Sequence, residues 1–238
     1  MVKYLSRTTQ PQRAGQNIRQ LALKRRVIAI ASVASAGLSV ALPLVLYNAV
    51  NEMFVDLQQL VEGEPTSIRP PLMLIVLYAL IIISGIVNGV HYWRLANRAD
   101  QGARAEESVA QSLVLLERGG WQIDYGVWLG RGLGDADIVC TSPQGKTYVV
   151  DVKSHQGHIT TDGQQLYRSY GSDKYPFEKP FLKLVMRQAL QIKAQRKLTF
   201  VTPIIAFSHA GVSIPAGKTR NVYVVEEAAL LSLLQRLG

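Results

Sequence analysis

Two acids and a lysine lie on neighbouring segments of the sequence, and their side chains are those of a site for a divalent metal and a phosphate. Asp137 belongs to the run GDADIVC, and both Asp151 and Lys153 belong to the run KTYVVDVK. The turn between the runs, SPQG at residues 142–145, combines the residues of a type I turn with a glycine suited to the left-handed region. The two runs are therefore predicted to form a β-hairpin.

The predicted hairpin also fixes which side chains face one another. The turn sets Ser142 opposite Lys146, and counting back along both strands places Asp137 opposite Asp151. Side chains alternate with period two, so Asp137, Asp151 and Lys153 are expected on one face of the sheet. Two carboxylates and an ammonium suit a metal and a phosphate, whereas the alternative is a solvated strand face with an ordinary charge pair.

Two predicted helices each place one polar residue at or on their apolar face. Glu106 lies at the edge of the apolar face of a helix at 99–118, and Gln188 lies in the middle of that of a helix at 180–196. A buried acid is costly unless a cation meets it, and a buried amide needs hydrogen-bond partners. Glu106 is therefore a site residue or a surface or capping glutamate. Gln188 bonds the core backbone, or it reaches a phosphate or a water on a metal.

The remaining elements predict an α/β domain with a mixed central sheet. The residues 162 and 163, Asp-Gly, indicate a two-residue hairpin turn that returns through 165–168, and 170–180 has the composition of a polar loop. Runs of strand length stand at 121–129, 158–161, 199–207 and 222–225, and an amphipathic helix stands at 226–237.

Two long uncharged runs predict membrane-spanning helices. Residues 27–47 and 71–93 each have about 20 residues, the length that crosses roughly 30 Å of hydrocarbon, and neither has the polar stripe of a soluble helix. The first run could instead be a signal peptide, but it continues well past the small residues at 34–36. The expected organisation is a basic segment at 1–26, a membrane hairpin at 27–93 with an acidic loop at 48–70, and a C-terminal domain at 94–238.

Basic residues predict the orientation of this hairpin. The triplet KRR at 24–26 precedes the first run, and Arg94 and Arg98 follow the second, which favours the cytoplasmic side for both ends. Both termini and the C-terminal domain are therefore expected in the cytoplasm, with the hairpin in the plasma (inner) membrane of a prokaryotic cell. Gly85 and Gly89 form a G-x-x-x-G motif, which packs the two helices together or forms a homodimer.

The composition favours a polyanionic partner in a reducing compartment. The 238-residue chain has a formal net charge of +9, and its basic residues include Lys193, Arg196 and Lys197 in the C-terminal domain. Some of this charge can instead face anionic lipid. Cys140 is the only cysteine, so the sequence has no disulfide framework and no cysteine metal site.

Six short segments occur in a fixed order through the C-terminal domain, and the set resembles a known family. They are Gly102-x-x-Ala105-Glu106-x-x-Val109, Asp137-Ile138-Val139, Gly145, Asp151-Val152-Lys153-Ser154, Gly157-x-Ile159 and Arg187-Gln188-Ala189. In their order and spacing they resemble the nuclease-related domain, called NERD, of the PD-(D/E)xK phosphodiesterase superfamily. The resemblance runs from about Gly102 to Leu237 and implies a restriction-endonuclease-like mixed central sheet flanked by helices.

The resemblance implies a chemical role for the candidate residues. Asp137 and Asp151 would hold Mg²⁺ or Mn²⁺, with the backbone carbonyl of Val152, since these hard ions prefer oxygen ligands. Lys153 would stabilise the attacking hydroxide and the charge that develops around phosphorus. Glu106 would bind or orient a second metal or its water.

The leading hypothesis is a membrane-anchored, metal-dependent nuclease that hydrolyses phosphodiester bonds of DNA or, second, of RNA. Gln188 would position the phosphate or the water in that reaction. One alternative is a catalytically inactive module of the same fold that binds nucleic acid or a protein partner at the membrane. A further alternative is a membrane-hairpin adaptor whose soluble domain does no chemistry.

Overall fold

The computed structural model describes residues 14–60, 72–130, 132–171 and 173–238. Within these residues the chain forms two compact units. The first unit is Gln20–Ala99, and the second joins the described residues up to Arg19 to Asp100–Gly238. All the candidate site residues belong to the second unit.

Two long helices run through the first unit and continue beyond it. Helix α1 comprises Gln16–Leu60, and helix α2 comprises Leu72–Arg118. Helix α1 continues past residue 47, since neither glycine nor proline stands between residues 48 and 60. The second apolar run and the helix predicted at 99–118 are one uninterrupted helix, and it ends before Gly119 as predicted.

Both helices are long and apolar enough to cross a membrane. Only 11% of the most apolar window of α1, and 6% of that of α2, is buried inside the protein. The core helix of a soluble protein would be mostly buried, and these two windows are mostly exposed, which is consistent with membrane-spanning helices. The expectation of two long apolar helices before the α/β domain is confirmed.

Two glycines bring α1 and α2 into close contact in the first unit. A Cβ atom added at Gly85 would lie 2.3 Å from the Cβ of Ala36 and 3.0 Å from the carbonyl oxygen of Ser32. One added at Gly89 would lie 2.6 Å from a methyl group of Val33. The G-x-x-x-G motif therefore packs two helices of one chain together. A homodimer through the same glycines stays a prediction.

Among the described residues, eight strands form a mixed sheet at the centre of the second unit. Its strands are β1 (Gln122–Trp128), β2 (Asp135–Thr141), β3 (Thr147–Thr161), β4 (Leu166–Tyr170), β5 (Asp173–Pro176), β6 (Val201–Val212), β7 (Lys218–Thr219) and β8 (Val222–Glu226). The main path runs β1-β2-β3-β6-β8-β7, with β4 paired to β3 and β5 to β4. The β3–β6 and β6–β8 pairs are parallel, and the other pairs are antiparallel.

Helices cover both faces of the sheet. Helix α3 (Phe181–Gln195) closes one core, in which Val149 and Val185 are fully buried. Helix α4 (Glu227–Leu237) and the C-terminal part of α2 close the other, in which Leu113 and Leu230 are fully buried. The predicted α/β class, with a mixed central sheet flanked by helices, is therefore confirmed.

Two local predictions after β3 are wrong. The predicted two-residue turn is a four-residue loop, 162–165, between paired strands. The loop is wider because Oδ1 of Asp162 accepts hydrogen bonds from the backbone N–H groups of Gln164 and Gln165, each at 2.8 Å. The polar loop predicted at 170–180 contains strand β5, which pairs with β4 through its backbone despite its exposed side chains.

Candidate active site

The central hairpin has the predicted turn and register. The N–H of Gly145 donates to the carbonyl oxygen of Ser142 at 2.9 Å, and Gly145 has a φ of 80°. The N–H of Ser142 donates to the carbonyl oxygen of Lys146, also at 2.9 Å. The β2–β3 ladder then runs back to the pair just before Asp137 and Asp151. Continued by one pair, this register would align the two acids, and that alignment stays a prediction.

At the end of the ladder the side chain of Asp137 replaces a backbone acceptor. Its Oδ2 accepts a hydrogen bond from the N–H of Val152 at 2.7 Å. On the other side of β2, Gly126 lies across from Asp137 and has a φ of 60°, so β1 bends there in a conformation that favours glycine. The departure from regular pairing holds the Asp137 carboxylate against the backbone of β3.

Strand β3 carries the other two charged residues as one ion pair. The Nζ of Lys153 lies 2.8 Å from Oδ1 and 2.7 Å from Oδ2 of Asp151. Asp151 is only 5% exposed, and the Lys153 ammonium lies 5.1 Å from the centre of the Phe181 ring. The pair therefore lies between the sheet and the first turn of α3, and the carboxylate fixes the position of the ammonium.

Glu106 of α2 approaches the same charges from a helix. Its Oε2 accepts a hydrogen bond from the backbone N–H of Gly15 at 3.0 Å. Burial raises the pKa of Glu106 from 4.5 to about 7, although the Gly15 hydrogen bond and the Lys153 ammonium act in the opposite direction. Asp151 adds to the rise. Glu106 is therefore a half-buried acid within the electric field of the β3 pair.

The acids dominate the electrostatics of this group. Burial raises the pKa of Asp137 well above its ordinary value, and the neighbouring Asp151 and Glu106 raise it further. Burial lowers the pKa of Lys153, but the surrounding acids outweigh that effect and the net shift is upward. The Lys153 ammonium thus interacts with three carboxyl groups, and a further cation would favour their ionised forms.

Gln188 of α3 is buried, as its place on the predicted helix indicates, and only 7% of it is exposed. Its Nε2 donates a long hydrogen bond of 3.4 Å to the carbonyl oxygen of Asp135. Among the described residues, its buried Oε1 has no hydrogen-bond partner. Gln188 therefore contacts core backbone two residues before Asp137, and it keeps an acceptor that a donor on a ligand can use.

The side chains fit a hard divalent cation through two carboxylates. In the part of the chain that the structure describes, no group of three histidine, cysteine, aspartate or glutamate side chains is arranged to hold one metal ion. Mg²⁺ is commonly bound through one or two carboxylates and keeps several waters. Asp137 and Asp151 supply such a pair. The ion itself, a contribution from Glu106 and the Val152 carbonyl ligand stay predictions.

Two residues near the start of the described chain contact this site, and no pattern in the sequence indicated them. Besides the contact of Gly15 with Glu106, the Nδ2 of Asn17 donates to Oδ2 of Asp135 at 3.0 Å. These residues stand about 90 to 120 positions before their partners, with separations of 91 and 118. A contact of that separation leaves no local pattern in a single sequence.

His155 lies just beyond the ion pair, among aromatic side chains. Its ring centre is 5.1 Å from that of Phe177 and 5.4 Å from that of Phe181. Burial lowers the pKa of His155, and the nearby cations Lys153 and Arg168 lower it further. The lowered pKa favours the neutral imidazole.

Together these features define an α/β protein whose mixed sheet carries an acidic site with one lysine at the β2–β3 hairpin. The sequence model of the nuclease-related domain matches residues 101–208. This match supports a nuclease-related domain over these residues, and it ends within β6, before the expected limit near Leu237. No curated protein and no solved structure matches the chain. The matched residues include Glu106, Asp137, Asp151, Lys153 and Gln188.

Proposed function

We propose that this protein is a membrane-anchored, metal-dependent nuclease that hydrolyses phosphodiester bonds of DNA. The observation that carries the proposal is the contact of Asp137 with the Val152 N–H, next to the Asp151–Lys153 ion pair. It brings two carboxylates and an ammonium to adjacent positions within a nuclease-related domain. RNA is the alternative candidate substrate for the same hydrolysis.

Hydrolysis requires a water oxygen to bond to phosphorus while one P–O ester bond breaks and the leaving oxygen takes a proton. A divalent ion bound by Asp137 and Asp151 would lower the pKa of that water and offset the charge on the phosphate. Lys153 provides a fixed positive charge for the developing negative charge, and Asp151 holds it in place. Glu106 orients the water from α2, and Gln188 offers its Oε1 to a donor on the substrate or the water.

A lysine-rich groove supports a polyanionic partner. It has a volume of about 820 Å³ and lies where β3 and β6 begin, and none of the described residues that line it is acidic. The lining includes Lys146, Lys193, Lys197 and Lys218, together with Phe200, which is 71% exposed. Lysines bind phosphates without reading sequence, and an exposed aromatic ring stacks on a base.

Plasmid cleavage by the full chain in detergent micelles, with Mg²⁺ or Mn²⁺, tests the nuclease. We expect nicking by the unmodified protein and a loss of about 100-fold or more in Asp151→Ala and in Lys153→Ala. Asp173→Asn removes an exposed carboxylate on β5 and is the matched control, with unchanged activity expected. Absence of cleavage in both metals, or equal cleavage by the Asp151→Ala protein, would contradict the proposal.

One observation favours the inactive binding module as the second function. Lys153 already pairs with both carboxylate oxygens of Asp151, and Glu106 already accepts the Gly15 N–H. A domain with these charges satisfied can bind nucleic acid, or a protein partner at the membrane, without cleaving it. A gel shift of the plasmid with no cleavage in either metal would favour this function over the nuclease.

We further propose that the protein lies in the plasma (inner) membrane of a prokaryotic cell, with both termini in the cytoplasm. The two long apolar helices and the basic residues beside them support this placement. A reporter enzyme that works only in the cytoplasm, fused after Gly238, is expected to be active. Activity of a reporter that works only outside the cytoplasm would reverse the topology.

A further inference from the structure

We propose that residues 14–19, here called the N-terminal strap, close the acidic site and lift from it before a polyanion enters. The inference concerns the regulation of the site described above, and its inhibitory meaning rests on the proposed nuclease function. The strap contains the first turn of α1, which begins at Gln16. It belongs to the same compact unit as the site.

Two strap residues contact acids of the site directly. The backbone N–H of Gly15 donates to Oε2 of Glu106, and the side-chain amide of Asn17 donates to Oδ2 of Asp135, both at 3.0 Å. The donors lie at the start of a helix, where the backbone N–H groups carry partial positive charge. The strap therefore offsets part of the negative charge that a divalent cation would otherwise neutralise.

The end of the strap is fastened by an ion pair. The Nε and Nη2 of Arg19 lie 2.5 Å from the two carboxylate oxygens of Glu107, the residue next to Glu106 on α2. The Arg19 side chain is 60% exposed, and an exposed pair contributes little to stability. A contact of this kind holds a segment in place but also lets it open.

Close packing shows that the strap fits this position on α2. Gly15 has a φ of 72°, and a Cβ atom added there would lie 2.8 Å from the carbonyl oxygen of Ala103. Any other residue at this position would push the strap away from the helix, because the neighbouring atom belongs to the backbone and cannot rotate aside. Ile18 of the strap packs near Gly102 in the same stretch of α2.

The space left beneath the strap is too small for a substrate. A cavity of about 60 Å³ lies between strap residues and the acids Glu106, Asp135 and Asp137. That volume holds a few water molecules, whereas pockets for organic ligands have roughly 300–1,000 Å³. A phosphodiester cannot reach these carboxylates from the strap side until the strap moves, so the seated strap is an inhibitory contact.

Charge reversal with its matched repair tests the strap in the full chain in detergent micelles. Arg19→Glu breaks the ion pair, and the double variant Arg19→Glu/Glu107→Arg restores it with the charges exchanged. Gly15→Ala displaces the strap by packing instead of charge. The control is Gly37→Ala, since no atom lies within 4 Å of a Cβ added there.

The first measurement needs neither metal nor activity. The carboxylate of Glu106 is labelled with a carbodiimide and glycine ethyl ester, and the product is quantified by mass spectrometry. We expect labelling to rise about fivefold or more in Arg19→Glu and Gly15→Ala, and to return toward the original level in the exchanged double variant. Unchanged labelling in both single variants overturns the strap.

Plasmid cleavage by the same variants decides whether the strap inhibits. Faster cleavage by Arg19→Glu, with the original rate restored in the double variant Arg19→Glu/Glu107→Arg, supports inhibition by the strap. Slower cleavage together with higher Glu106 labelling overturns inhibition and makes the strap a structural support. If no variant cleaves DNA, the nuclease proposal fails by itself. The affinity of the variants for Mn²⁺ then tests whether the strap closes the site. A higher affinity in Arg19→Glu and Gly15→Ala than in the unmodified protein supports closure, and an unchanged affinity overturns it.

Discussion

Helix α2 has two halves that meet very different surroundings. Before Asp100 most of its large side chains are exposed, with Leu80 at 59% and Val87 at 63%. After Asp100 one side of the helix is buried, with Val109 and Leu113 at 0%. The backbone is one continuous helix, so the difference lies in what each half packs against.

The residue pattern, not the helical backbone, distinguishes the environments of the two halves. The first half is apolar on every side, which suits hydrocarbon, and the second half has one apolar stripe, which suits a sheet. Sequence patterning predicted a new helix at residue 99, where the backbone has no break. The boundary between the compact units nevertheless lies between Ala99 and Asp100, where the pattern changes.

The largest effect is expected from truncating a buried leucine of the second half. Leu113→Ala should lower the free energy of unfolding of the second unit by about 2–5 kcal/mol, because it removes a fully buried side chain from a packed core. Leu80→Ala, the same substitution in the first half, should change it by less than about 0.5 kcal/mol. Thermal unfolding in detergent, followed through Trp121 and Trp128 fluorescence, measures both. Equal losses would remove the distinction between the halves.

The second largest effect is expected on the pH dependence of stability, and it comes from Glu106 in the second half of α2. Burial raises the pKa of Glu106 from 4.5 to about 7, so the folded state binds this proton more tightly than the unfolded state. The resulting stability is fully present below about pH 4.5 and is lost as pH rises through about 7, a change on the order of 3 kcal/mol. The midpoint temperature of unfolding, measured from pH 4.5 to 8 without divalent ions, should therefore fall.

The matched variants for this pH series differ in burial. Glu106→Gln should flatten the fall above pH 5, because the amide does not titrate. Glu117→Gln, on an exposed position of the same half of α2, should leave the fall unchanged. A Glu106→Gln protein with the original pH profile would show that another group causes the fall.

The hairpin at the site was predictable because its geometry follows from short-range rules. The SPQG turn and the alternation of side chains predict the register that pairs Ser142 with Lys146 and continues to Ile138 and Val150. The burial of Gln188 followed in the same way from the spacing of its helix. These features depend on residues within about one element of each other.

Features that depend on distant residues were not predictable. The side chain of Asp137 accepts the Val152 N–H, and a single sequence does not show that the regular ladder stops there. The contact of Gly15 with Glu106 joins residues separated by 91 positions. The prediction of a two-residue turn at Asp162 was wrong for a local reason. The Asp162 side chain accepts hydrogen bonds from two backbone N–H groups, and the turn is wider than the Asp-Gly pair indicates.

The smallest effect should come from a charge pair on the surface of the second unit, where both side chains contact water. The Nη2 of Arg196 lies 2.7 Å from Oδ2 of Asp124, with side chains 32% and 52% exposed. Water and salt screen such a pair, so a double-mutant cycle with Arg196→Ala and Asp124→Ala should give a coupling of about 0.2–1 kcal/mol that shrinks at high salt. Thermal unfolding of the four proteins at two salt concentrations measures it. A coupling as large as the loss in Leu113→Ala would mean that surface charge, and not the buried face of α2, holds this unit together.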